Sequence, residues 1–110
     1  MHEMSITQSM VELCETHAQG RRVTVVLLQI GALAGVVPDS IEFCFEACSR
    51  GTLVEGARLE IELVAGVGSC PACRREAPLE SLYDPCPRCG AFGLEPIFGQ
   101  ELRVKELELE

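Results

Sequence analysis

The stretch SCPACRREAPLESLYDPCPRCG (69–90) decides how the chain must be divided. It carries two C-x2-C pairs, Cys70/Cys73 and Cys86/Cys89, with twelve residues between them. Two residues between cysteines let both sulfurs converge on one ion while amides of the turn point at the thiolates. Two such knuckles complete a tetrahedral shell, which suits zinc at a Zn–S distance near ~2.3 Å. The gap is shorter than the common ~15–20 residues, yet it leaves chain enough to fold back as a hairpin. Redox use of a C-x2-C pair needs a helix N-terminus to depress a thiol pKa, and Pro85, Pro87 and Gly90 argue against helix here. Iron is the rival ion for four thiolates, and a red protein would identify it. Four protein ligands leave zinc no open position, so the site is structural and says how the segment folds rather than what the chain does.

Working outward, the segment of distinct composition runs from about 67 to 98 and holds five of the six prolines. It reads as a small module inserted between two strands of a main sheet. Upstream, RRVTVVLLQIG (21–31) is β-branched, apolar on both faces and closed by Gly31, as a buried central strand should be. In RLEIELV (58–64), Leu59, Ile61 and Leu63 alternate with charged residues, giving a strand with one wet face. Between them, Pro38 suits a first helical turn, and Ile41, Phe45 and Cys48 share one face of a helix reaching about Ser49, with Gly51 as its C-terminal cap. Strand, helix and strand over some forty residues predict a right-handed crossover with parallel strands.

The first segment, 4 to 19, spaces Ile6, Met10, Leu13, Cys14 and His17 along one helix face. Ser5 and Gln8 resemble a capping box, which starts the helix at Ser5, and Gly20 stops it. Downstream of the module, ELRVKELELE (101–110) alternates through Leu102 and Val104, breaks phase at Glu106 and resumes at Leu107 and Leu109, so a bulge or strand end is expected there. The fold class is therefore α+β: a small mixed sheet with two helices, formed by 1–66 and 99–110, plus an inserted zinc-ribbon-like module at 67–98.

Composition narrows the function. The net charge is −8 and the pI about 4.7. Nucleic-acid binding draws its affinity from basic contacts to phosphate, so this balance weighs against it. Aromatics make up 5% with no Trp, so the core must be built from Val, Leu and Ile. No secretory signal is visible, nor any run near the ~20 apolar residues of a membrane span. Seven cysteines, an odd number with four in paired clusters, fit a reducing compartment, and the expected location is the cytoplasm. Cys44 and Cys48 (i, i+4), and Cys14 with His17 (i, i+3), read first as packing residues, since buried Cys behaves as a small hydrophobe.

The start of the chain, MHE (1–3), is open to two readings. The α-amine of Met1 and the amide nitrogen and imidazole of His2 lie within a few bonds of each other, and the amide of Glu3 adds a fourth nitrogen. Such a planar nitrogen set is what square-planar Ni(II) or Cu(II) prefers. Free amines titrate near ~7.7–8.0 and imidazoles near ~6.5, so a site of this type loses metal in mild acid. Because histidine is bulky, Met1 should be retained and carry the amine. The plainer reading makes His2 a polar residue at a frayed terminus, and local chemistry alone does not decide.

MHE, the helix MSITQSMVELCE, then VLLQIGALAGVVPDSIEFCFEACSRGTLVEGARLEI, CPAC, CPRCG and GQELRVKELELE follow one another in an order that resembles the HypA/HybF family of hydrogenase-maturation proteins, over essentially the whole chain. The resemblance implies a nickel metallochaperone, not an enzyme, that delivers Ni(II) to the [NiFe]-hydrogenase large subunit. It implies nickel at Met1 and His2 with Glu3 contributing, and zinc held by Cys70, Cys73, Cys86 and Cys89. Implied partners are the accessory GTPase HypB, the hydrogenase large subunit and, in some bacteria, urease maturation proteins, with the chain a monomer or homodimer and with no role for nucleic acid or membrane. Three departures stand out. Arg74 replaces a glycine common after the first knuckle, which predicts a looser turn. Ala32 and Val37 replace a Glu and an Asp found in relatives, leaving Asp39 to substitute only after a local shift. No histidine stands beside the knuckles to tune zinc with pH. The alternatives are a zinc-containing protein-interaction adaptor without a nickel transfer role, and a thiol redox protein using CPAC or CPRC.

Overall fold

The computed structural model describes residues 2–110. Its elements run α1 (Glu3–Ala18), β1 (Val23–Gly31), α2 (Pro38–Ser49), β2 (Arg58–Val64), β3 (Val67–Ser69), β4 (Glu76–Pro78), β5 (Glu95–Phe98) and β6 (Leu102–Leu109). They form two three-stranded sheets, ordered β2-β1-β6 and β4-β3-β5. The chain divides into two compact units, the first comprising 1–29, 36–62 and 103–110, the second 30–35 and 63–102. No helix among the described residues is long and apolar enough to cross a membrane.

In the first unit β1 is the central strand, and Val23, Val26 and Leu28 on it are buried. Val23 N–H donates to Leu53 C=O at 2.9 Å, and further along Gln29 reaches Glu62 at 2.7 Å. The partners advance together, so β1 and β2 run parallel, as the crossover through α2 predicts. On the other side Glu110 N–H donates to Arg22 C=O at 2.8 Å while Arg103 bonds Gln29 at 2.6 Å, so β6 is antiparallel to β1. The sheet is mixed, in keeping with the α+β class.

Helix α1 begins at Glu3, two residues before the expected start at Ser5. Ser5 lies inside the helix and its carbonyl accepts the Ser9 hydroxyl at 3.1 Å, so no capping box forms there. The buried stripe is Thr7, Met10, Val11, Cys14 and Ala18, while Leu13 and His17 are exposed. The stripe is rotated because small residues face inward: Thr7 hides its hydroxyl by donating to Glu3 C=O at 2.7 Å, and Ala18 is fully buried. Helix α2 starts at Pro38 as expected and buries Ile41, Cys44, Phe45 and Ser49, with Cys48 half-buried. In β2, Leu63 is 68% exposed, against the alternation. Glu62 is the half-buried residue instead, and Gln29 and Lys105 (3.1 Å) both donate to its carboxylate. Strand β6 continues through Glu106 to Leu109, its burial phase breaking at Lys105 and Glu106 without ending the strand.

In the second unit β3 pairs antiparallel with both β4 and β5, with a register shift between Val67 and Gly68 on the β5 side. Its core is small: Leu33, Cys70, Ala77, Leu79, Cys86 and Leu94. Backbones approach closely within it. A Cβ on Gly31 would come within 1.9 Å of the Gly99 carbonyl oxygen, and one on Gly66 within 2.1 Å of the Leu79 carbonyl oxygen. These are backbone atoms and cannot swing aside. Gly31→Ala is accordingly expected to destabilise the zinc-loaded protein by about 1–3 kcal/mol, the usual cost of overpacking. Thermal unfolding would read this directly, and an unchanged midpoint would show that the strand ends separate freely.

Candidate metal centres

The two knuckles of the second unit are built alike. After Cys70 the chain turns so that Arg74 N–H donates to the Cys70 carbonyl at 2.9 Å, and after Cys86 the Gly90 N–H donates to the Cys86 carbonyl at 2.8 Å. Each is closed by a second bond, from Cys70 N–H to Arg75 C=O at 3.0 Å and from Cys86 N–H to Ala91 C=O at 2.8 Å. Cys70 Sγ then lies 3.5 Å from Cys89 Sγ, and Cys73 Sγ 3.8 Å from Cys86 Sγ. All four sulfurs fall within 4.8 Å of one another. A tetrahedral ion with metal–sulfur bonds of about 2.3 Å separates its sulfurs by about 3.8 Å, so the set fits zinc with little adjustment. Among the described residues, no other group of three or more His, Cys, Asp and Glu side chains converges in this way.

Backbone donors tune these thiols. The Cys73 N–H holds the Cys70 thiol down at about 6, and the Cys89 N–H pulls the Cys86 thiol below its ordinary value. The Ala91 N–H draws Cys89 down as well, but the sulfurs of Cys70, Cys86 and Cys73, together with burial, outweigh it and leave that thiol at about 11. By contrast, burial pushes Cys14 in the first unit up to about 11, the mark of a packed thiol. Its sequence neighbour His17 is exposed, with Nδ1 3.0 Å from the Leu13 carbonyl.

Arg74 does not loosen its turn. The bonds from Arg74 N–H (2.9 Å) and Gly90 N–H (2.8 Å) are nearly equal, and Arg74 takes φ 60° where Gly90 takes φ 77°. The departure from glycine appears instead as a left-handed backbone at a residue with a Cβ, at about 1–2 kcal/mol.

In the first unit His2 stands at the N-cap of α1 with no side-chain capping bond, and Glu3 is the first helical residue. The His2 carbonyl accepts from Ile6 N–H at 3.1 Å. The amides at the start of a helix lack intrahelical partners, so the nitrogens of His2 and Glu3 are left for other ligands. A cavity of about 570 Å³ lies alongside, lined by His2, Glu3, Met4, Ser5, Asp39, Ser40, Phe43 and Cys44. Asp39 thus lines the same cavity as His2 and Glu3, in the first turn of α2. Val37 is the exposed N-cap of that helix, and Ala32 belongs to the second unit. Met1, the remaining expected nickel ligand, lies outside the described residues.

Two outcomes test this geometry. Arg74→Gly should relieve the left-handed strain by about 1 kcal/mol and raise zinc affinity several-fold in a chelator competition; unchanged affinity would mean that the turn carries no strain. In metal-free protein at about pH 7, an alkylating agent should modify Cys70 well before Cys14, because only the first is substantially thiolate. Mass mapping showing equal rates would contradict the donor arrangement described above.

Comparison with known proteins shows what the whole chain is similar to. Residues 1–109 match the family described as hydrogenase/urease nickel incorporation, metallochaperone, hypA. A hydrogenase maturation factor HypA from Geobacter sp. (strain M21) is 72% identical over 110 residues, covering 100% of both chains. Another, from Trichodesmium erythraeum (strain IMS101), is 44% identical and covers 100% of this chain and 96% of its own. The solution structure of the Ni metallochaperone HypA from Helicobacter pylori superposes with a TM-score of 0.72 at 27% identity, over 99% of this chain and 97% of that one. With a four-cysteine cluster suited to zinc on an α+β chain, and with likeness along its whole length, the chain belongs to the HypA family of nickel metallochaperones for hydrogenase maturation.

Proposed function

We propose that this chain takes up Ni(II) at its N-terminus and passes it, by ligand exchange, to the large subunit of a [NiFe]-hydrogenase. The ligands are the α-amine of Met1, the amide nitrogen and imidazole of His2, and Glu3. The observation that carries this reading is the helix start: His2 occupies the N-cap without using its side chain there, beside a roomy cavity. The positive end of a helix disfavours a bare cation. Glu3 and Asp39 supply the compensating charge, so Asp39 acts as an additional carboxylate at this site. Nickel is cargo, and a ligand set at the end of the chain, with few side chains committed, suits release as well as capture.

Cys70, Cys73, Cys86 and Cys89 hold zinc in this reading. The ion supplies folding of the 67–98 module and no reaction chemistry, because four thiolates close its coordination shell. The 1–66 and 99–110 segments form the nickel-binding domain. The accessory GTPase HypB and the hydrogenase large subunit are the partners, urease maturation proteins further ones, and the setting is the cytoplasm. The protein catalyses no reaction of its own.

A second reading, the zinc-containing interaction adaptor, draws on the exposed aromatics of the second unit, Tyr83 (85%) and Phe92 (72%). Stoichiometry separates the two: an adaptor binds one zinc and no nickel, a chaperone one of each. For the chaperone, His2→Ala and a residue added ahead of Met1 should each abolish nickel binding in calorimetry of untagged, zinc-loaded protein, and Asp39→Ala should weaken it about tenfold. Unchanged nickel affinity together with normal hydrogenase maturation in either of the first two variants would end the proposal.

A further inference from the structure

A second cluster of metal-binding atoms stands in the first unit, made of sulfur rather than nitrogen. Cys44 and Cys48 are one helical turn apart on α2, so their side chains share a face. Cys48 Sγ lies 3.3 Å from Met4 Sδ and 3.9 Å from the Met4 carbonyl oxygen. Cys44 and Met4 line the same cavity, which opens to solvent. Core packing does not account for this grouping, since Met4 is 47% exposed and Cys48 is only half-buried. The Met4 and Cys48 sulfurs are therefore reachable by an ion in solution, and the buried Cys44 lines the cavity that Met4 shares.

Their chemistry selects the ion. Thiolate and thioether donors are soft and favour Cu(I), whereas amine, amide, imidazole and carboxylate suit Ni(II). Burial, and then the neighbouring Cys44, push the Cys48 thiol up, so without metal Cys48 is a neutral donor. Methionine is unbranched and adapts its rotamer to a nearby ion.

We propose that Cys44, Cys48 and Met4 form a three-sulfur site for a soft monovalent cation, Cu(I), beside the N-terminus and separate from the four-cysteine centre. Binding replaces the two thiol protons, which pass to solvent, and needs no oxidant or reductant when the metal arrives as Cu(I). The two neighbouring donor sets then sort cations by softness, nitrogen and oxygen for nickel and sulfur for copper.

The test uses full-length, zinc-loaded protein under anaerobic conditions, with Cu(I) competed against a chromophoric Cu(I) chelator. One Cu(I) per chain should bind with zinc retained, and X-ray absorption should report sulfur neighbours alone. Altering groups that merely orient a ligand costs about 10–100-fold in affinity, so loss of a ligand in Cys48→Ser or Cys44→Ala should cost at least about 100-fold. Met4→Leu should cost less, and His2→Ala should leave Cu(I) affinity unchanged while nickel binding is lost. Cys44 is buried, so circular dichroism accompanies that variant. Cys48→Ser, at a half-exposed position, decides the matter if Cys44→Ala fails to fold. Undiminished affinity in Cys48→Ser, Cu(I) uptake matched by zinc release, dependence on His2, or no uptake at all would each overturn the site.

Discussion

Four sulfurs held within 4.8 Å of one another cannot all be thiolates without a cation among them. Like charges that close oppose each other's ionisation, and these thiols start far apart: the Cys73 N–H draws Cys70 down to about 6, while against the Ala91 N–H the neighbouring sulfurs and burial hold Cys89 at about 11. A divalent ion removes the conflict by letting every sulfur ionise. The second unit would gain most from that removal, because its apolar core amounts to Leu33, Ala77, Leu79 and Leu94 around the sulfurs of Cys70 and Cys86. Structural zinc contributes on the order of 10 kcal/mol to folding in small domains, at least as much as the roughly 5–10 kcal/mol that four such side chains can add. Strands of three or four residues, such as β3, β4 and β5, are at the short end of the usual range and add little stability of their own.

The first unit solves its folding problem without metal. A doubly buried strand, two helices and a mixed sheet bury Leu28, Ile41, Val23, Val26 and Val54 almost completely. Its polar groups are accounted for as well: no buried side-chain nitrogen or oxygen among the described residues lacks a hydrogen-bond partner. The buried Gln29 is satisfied by Glu62 and Arg103. Stability being settled elsewhere, the residues at the start of α1 are left with little structural duty. An N-cap without a capping side chain is a weakness for a helix and an opportunity for a ligand.

What the sequence disclosed followed from how local each signal was. The knuckle spacing and the bounds of β2 (58–64) and α2 (38–49) were legible because cysteine spacing, alternation and Pro38 act within a few residues. The phase break near Glu106 was legible for the same reason. The start and rotation of α1 were not. Periodicity favours large apolar residues, and the inward face uses Thr7 and Ala18, whose fit depends on the neighbouring helix rather than on their own hydropathy. Asp39 on the same cavity as His2 was approached only through the family resemblance, and Met4 beside Cys48 was beyond reach, because both join residues some forty positions apart. Only the packing of α1 on α2 brings such pairs together.

Arg74 gives the first knuckle a different kind of significance. A left-handed backbone at a residue with a Cβ is a penalty of about 1–2 kcal/mol, small beside the energy of a structural zinc ion. While zinc is plentiful, that penalty is masked and the position is free to drift away from glycine. When zinc is scarce, the same residue shifts the balance between loaded and empty chains. The substitution is conditionally neutral: silent under one metal supply and exposed to selection under another.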